Sequence, residues 1–114
     1  MGIFTKARTK ISPREARQIM RQPGRYILLD VRTPSEYEES HIEGAKLIPV
    51  DELARRAPAE LPDRQMPILV YCRSGARAAG AVKTLAQMGY ANAVSFGGLL
   101  DWPYEAVKGL GDSS

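Results

Sequence analysis

The sequence predicts an α/β domain built around a mostly parallel, five-stranded sheet with helices on both faces. Three observations carry this. Short apolar runs alternate with stretches of helical spacing along the chain, the pattern of strand–helix–strand crossover units. Two of those runs, "YILLDV" (26–31) and "ILVY" (68–71), are apolar almost throughout, as strands covered on both faces are. Capping residues, prolines and glycines fall between the runs, where crossovers must begin and end.

Taken in order, "TKIS" (9–12) is a short first strand. Ser12 then caps a helix, with Pro13 at its first position and Glu15 completing a capping box. "QPGR" ends that helix, and "YILLDV" is the second strand. Thr33 caps and Pro34 opens a short acidic helix. "AKLIPV" (45–50) is the third strand, and Asp51 caps a helix in "DELARR". "APAELPDRQMP" (57–67) reads as a proline-rich surface loop before the fourth strand, "ILVY". The longest helix is "ARAAGAVKTLAQMGY", with Ala79, Val82, Leu85 and Ala86 at helical spacing and Gly89 as its stop. "NAVSF" (92–96) is the fifth strand, Gly97 and Gly98 a tight turn, and "LLDWPYEAVKG" a final helical segment interrupted by Pro103.

Composition narrows the function classes. A chain of 114 residues, 44% hydrophobic and 25% charged, fits one soluble domain. Its single cysteine cannot form an internal disulfide, so no oxidising compartment is implied. No apolar run approaches the ~20 residues of a membrane span. The start, "MGIFTKARTK", has neither a secretory apolar stretch nor a Ser or Thr at position 6 for myristoylation. The expected compartment is the cytoplasm. A net charge of +3 from scattered basic residues, without interleaved aromatics, favours small anions over nucleic acid.

The lone thiol is the candidate nucleophile. Cys72 stands at the carboxyl end of the fourth strand, the side on which open parallel sheets bind ligands. The turn "CRSGAR" (72–77) joins strand to helix so tightly that successive backbone N–H groups can converge on one point. Unsatisfied amides at the helix start add to that cradle, and Gly75 permits the backbone angle it needs. Arg73 and Arg77 contribute positive charge. A sulfur at the focus is stabilised as thiolate, the reactive form.

"ILVY" followed by "CRSGAR" resembles the active-site loop of the rhodanese (thiosulfate sulfurtransferase) family. Two further stretches extend the resemblance. "LLDVRTPSEYEESHIEGAKLIPV" is similar to the family's first signature, and "GGLLDW" (97–102) to its Gly-Gly-x-x-x-Trp element. Ser40 departs from the glycine usual before the histidine. The resemblance implies a three-layer rhodanese-like domain over residues 9–109, between a flexible start (1–8) and a frayed tail (110–114).

It also implies a double displacement through a persulfide on Cys72. The substrate would lie against Arg73, Ser74, Gly75, Ala76 and Arg77. The implied partners are a small anionic sulfur donor such as thiosulfate and a thiophilic acceptor: cyanide, a low-molecular-weight thiol or a protein. No cofactor, metal, nucleic acid or membrane is called for, and a monomer is expected. Two other readings stand beside this one. The first is a non-catalytic or sulfur-sensing module on the same fold. The second is a phosphatase or arsenate reductase, whose arginine lies six positions after the cysteine, where this chain has Ala78.

Other residues read as structural. His41 is a turn-stabilising side chain, and Asp30 with Arg32 a polar network supporting the loops. Glu36, Glu38 and Glu39 form a solvated helix face, and Trp102 is core or pocket wall. Short flanking loops predict an open, shallow site.

Overall fold

A computed structural model describes residues 8–109; all but the last residue of the flexible start expected over 1–8, and the frayed tail over 110–114, lie outside the described residues. The sheet is parallel. Its strands are β1 (Ile27–Asp30), β2 (Lys46–Leu47), β3 (Ile68–Cys72) and β4 (Ala93–Gly98), in the order β2-β1-β3-β4. Helices α1 (Pro13–Arg21), α2 (Pro34–Glu39), α3 (Leu53–Glu60) and α4 (Ala76–Gln87) make the crossovers.

Side-chain alternation along the central strands sorts the core into two layers. Leu29, Ile68, Val70 and Cys72 face one side, where they meet Leu53 and Ala57 of α3 and Ala78, Val82 and Leu85 of α4. Leu28, Leu69 and Tyr71 face the other, against Ala16 of α1 and Tyr37 of α2. Every residue of β3 is therefore buried, which is why its sequence is a continuous apolar run. The same period of two puts the Cys72 side chain on the α4 side of the sheet.

Two helix starts are built as expected. Ser12 with Glu15 forms the expected capping box ahead of Pro13, and Thr33 caps α2 ahead of Pro34, where Glu36 completes a second, unanticipated box. Elsewhere the structure corrects the reading. Among the described residues the sheet has four strands rather than five. "TKIS" contributes only a bridge at Lys10 to Ser95, in which Ile11 N–H donates to the Ser95 carbonyl (2.8 Å) and Ser95 N–H to that of Thr9 (2.9 Å). Pro13 turns the chain into α1 before a longer ladder can form.

Asp51 is no helix cap: it lies in a 3₁₀ turn (Val50–Glu52), and α3 begins without a side-chain cap. That helix runs on to Glu60, absorbing the first residues of the expected loop with Pro58 inside it. The buried stripe of α4 is Ala78, Ala81, Val82 and Leu85, while Ala79 and Ala86 are exposed. After β4, only a 3₁₀ turn (Leu99–Asp101) is helical among the described residues, and Val107 instead pairs antiparallel with His41. Ser40 has φ −170°, extended backbone that needs no glycine.

Gly97 and Gly98 are strand residues, and their placement bears on the cysteine. From the pair Val70–Ser95 to the pair Cys72–Gly98, two steps along β3 match three along β4, so β4 bulges at its carboxyl end. The bulge brings Gly98 directly beneath the backbone of Arg73 and Ser74. A Cβ there would overlap the Arg73 carbonyl and come within 2.6 Å of the Ser74 nitrogen. No helix among the described residues is long and apolar enough to cross a membrane.

Candidate active site

Cys72 ends β3, and three residues later the chain enters α4. The reversal is possible because Gly75, at the N-cap of α4, has φ +113°, a backbone angle that a side chain would resist. With this turn in place the sulfur receives two backbone donors. Gly75 N–H lies 2.9 Å from Cys72 Sγ and Ala78 N–H 3.4 Å from it. Ala78 is the third residue of α4, one of the first-turn amides that have no carbonyl partner within a helix. Of the amides anticipated over 73–77, that of Gly75 donates to the sulfur, and the second donor, Ala78, lies one residue beyond that span.

The sulfur is also covered. Cys72 is only 1% exposed, so the site is not the open, shallow one expected from its short loops. A cleft of about 510 Å³ adjoins the loop, lined by Ser74, Gly75, Ser95, Gly97, Lys10 and Asp101. Cys72 is not among its lining residues.

The two arginines are placed differently. Arg73 is exposed; its carbonyl accepts from Leu100 N–H (3.1 Å), and its side chain has no hydrogen-bond or ion-pair partner among the described residues. Arg77 reaches across to α2 and grips Glu36 with both ends of its fork, at 2.8 and 3.0 Å. Ser74 and Ala76 are exposed on the loop and first helical turn, and Gly75 is half-buried.

Glu36 is therefore more than part of a solvated helix face. The Arg77 fork holds its carboxyl down at about 2, with the Thr33 amide and hydroxyl assisting against partial burial. Arg77 in turn is held in its charged form first by Glu36, and the Cys72 and Asp30 charges act in the same direction. The sequence signal for Glu36 was its place three residues after Thr33, the capping-box spacing. Its contact with position 77 had no local signal.

Supporting groups sit below the loop. Asp30 is fully buried and takes a two-pronged contact from Arg32 Nε and Nη2 (3.0 and 2.8 Å). Arg32 Nη2 also donates to the Ser40 carbonyl at 2.7 Å. This is the polar network expected of the pair, tying the β1 end to the end of α2. His41 is fully buried, stacked on Tyr37 at 3.6 Å, with Nδ1 donating to the Tyr37 carbonyl (2.8 Å). Its backbone exchanges hydrogen bonds with Val107, fastening the C-terminal segment to α2. Trp102 packs on Phe96 in the layer opposite Cys72 and is core.

Comparison with known proteins agrees with this architecture. A family model described as the Rhodanese-like domain matches residues 12–103. The chain is 37% identical over 81 residues to the thiosulfate sulfurtransferase PspE of Escherichia coli (strain K12), covering 71% of this chain and 78% of that protein. It is 36% identical over 94 residues to the probable adenylyltransferase/sulfurtransferase MoeZ of Mycobacterium tuberculosis, spanning 81% of this chain but 24% of that one. A solved structure described as a rhodanese with anions from E. coli is similar at TM-score 0.66 and 36% identity, covering 74% of this chain and 99% of the other. Fold, cysteine loop and sequence likeness converge, and the chain belongs to the rhodanese-like domain family.

Proposed function

We propose that this protein is a sulfurtransferase that carries sulfane sulfur on Cys72. The observation behind the proposal is the pair of backbone donors on Sγ, from Gly75 and Ala78. Donors fixed by a strand end and a helix start stabilise negative charge on sulfur without reorganising during reaction. They serve the thiolate first and the persulfide afterwards. PspE is named a thiosulfate sulfurtransferase, which supports thiosulfate as a donor for this chain.

In the first half-reaction the Cys72 thiolate attacks the outer sulfur of thiosulfate. The sulfur–sulfur bond of the donor breaks, sulfite leaves with its electron pair, and Cys72 holds a persulfide. In the second, cyanide or a thiolate attacks the terminal sulfur. The persulfide bond breaks, thiocyanate or the acceptor's persulfide leaves, and the thiolate returns. No second cysteine exists in the chain, so the acceptor must come from outside.

The test is intact mass after incubation with thiosulfate and desalting. The expected result is a gain of one sulfur atom, absent in Cys72→Ala and removed by cyanide with release of thiocyanate. An unchanged mass for the wild type overturns the proposal in favour of a non-catalytic module.

A further inference from the structure

Two ion pairs near Cys72 neutralise themselves, and one cation of its loop has no partner among the described residues. Asp30 and Arg32 neutralise each other in the buried layer beneath the loop. Glu36 and Arg77 do so between α2 and α4, both partly exposed. Lys10 and Asp101 both line the cleft beside Ser74 and Gly75. Among the described residues of the loop, Arg73 is left as the unpaired cation.

Glu36 is well suited to control this balance. Its carboxylate is fixed from behind by the Thr33 amide at 2.9 Å and hydroxyl at 3.1 Å, so α2 presents it to Arg77 already oriented. The two-pronged geometry then holds the Arg77 guanidinium plane against the carboxylate. An arginine in that grip offers an incoming anion little net charge.

We propose that Glu36 is a positioning residue that sets the charge class of the reagent reaching Cys72. By occupying Arg77 it leaves one effective positive charge at the loop, so thiosulfate, a dianion, gains less over singly charged anions than it would from two free arginines. The inference rests on the proposed sulfur chemistry for its meaning, but its test does not depend on that chemistry.

Two paired readouts separate charge from structure. Alkylation of Cys72 compares iodoacetate, an anion, with neutral iodoacetamide; each forms the sulfur–carbon bond and expels iodide. Persulfide formation compares thiosulfate, a dianion, with methanethiosulfonate, a monoanion that expels methanesulfinate. In Glu36→Gln the iodoacetate/iodoacetamide rate ratio is expected to rise about fivefold, as is the thiosulfate/methanethiosulfonate ratio. Both gains should shrink in ~1 M salt, where screening acts within a few ångströms. Arg77→Gln, which strands the carboxylate, should lower both ratios below wild type and keeps the idea exposed if Glu36→Gln folds poorly.

A merely structural role would change both reagents of a pair alike, whatever the salt. Unchanged ratios in both variants overturn the inference. If neither sulfur donor loads the wild type, the proposed function fails, while the alkylation ratio still decides the role of Glu36.

Discussion

At the scale of single residues, the sequence exposed what lies in one continuous stretch and concealed what arrives from elsewhere. Cys72 and Gly75 were legible because a strand end, a polar turn and a helix start adjoin within a few positions. Ala78 lay one residue beyond the expected span, although a helix's third amide always lacks an internal acceptor. Glu36 and Gly98 act on the loop from α2 and β4, and nothing near them in sequence points to position 77 or 73.

Gly98 illustrates the difference. It read as a turn glycine, yet its lack of a side chain is what lets the loop backbone lie on β4. Gly98→Ala must push Arg73 and Ser74 away, at a cost of about 2–3 kcal/mol for overpacking. Displacing that backbone also moves the amides from the sulfur, so the rate of thiosulfate loading should fall at least about tenfold. Urea denaturation and the loading assay measure the two effects. A variant that loads at the wild-type rate would show that the contact has no bearing on the thiol.

Among the elements, those announced by local chemistry were placed well. α1 and α2 each carry a capping box and a proline at the first position, and both stand where expected. α3 was less legible because Asp51 and Glu52 fall in a 3₁₀ turn, while Pro58 lies inside a helix that its buried Leu53 and Ala57 anchor to the core. Tertiary packing overrode the local signal.

The spacing predicts helix for the segment after Trp102, but Val107 instead pairs antiparallel with His41. His41 joins these pieces by its backbone pair with Val107, its stack on Tyr37 and its donation to the Tyr37 carbonyl. His41→Ala removes the ring and leaves a buried void, so a loss of about 2–4 kcal/mol is expected by chemical denaturation. A loss below about 1 kcal/mol would mean that the imidazole is not part of the fastening.

For the molecule as a whole, the parallel α/β architecture was visible in the apolar runs; the number of strands was not. A four-residue stretch at the sheet edge can be a strand or a single bridge, and the proline that follows decides which. Charge offers a global test. The carboxyls of Glu36 and Glu60 are held at about 2, below the usual 4.5, chiefly by hydrogen bonds from Arg77 and Arg56 respectively.

Groups depressed in the folded state stabilise it fully above their unfolded value, and that contribution drains away as pH falls through the folded one. The stability difference between wild type and Glu36→Gln should therefore be constant above about pH 5 and shrink as pH drops towards 2. Denaturation midpoints across that range check it. A difference that persists undiminished in acid would assign the effect to shape rather than charge.

The single direction of the strands has a practical consequence for anyone handling this protein. Everything that bears on the thiol leaves from their carboxyl ends: the loop after β1, the turn after β3 and the bulged end of β4. The opposite rim belongs to a separate territory. There, residues 22–25 between α1 and β1 are all exposed, a natural place for an affinity tag, a fluorophore or a fused partner that leaves the working end undisturbed.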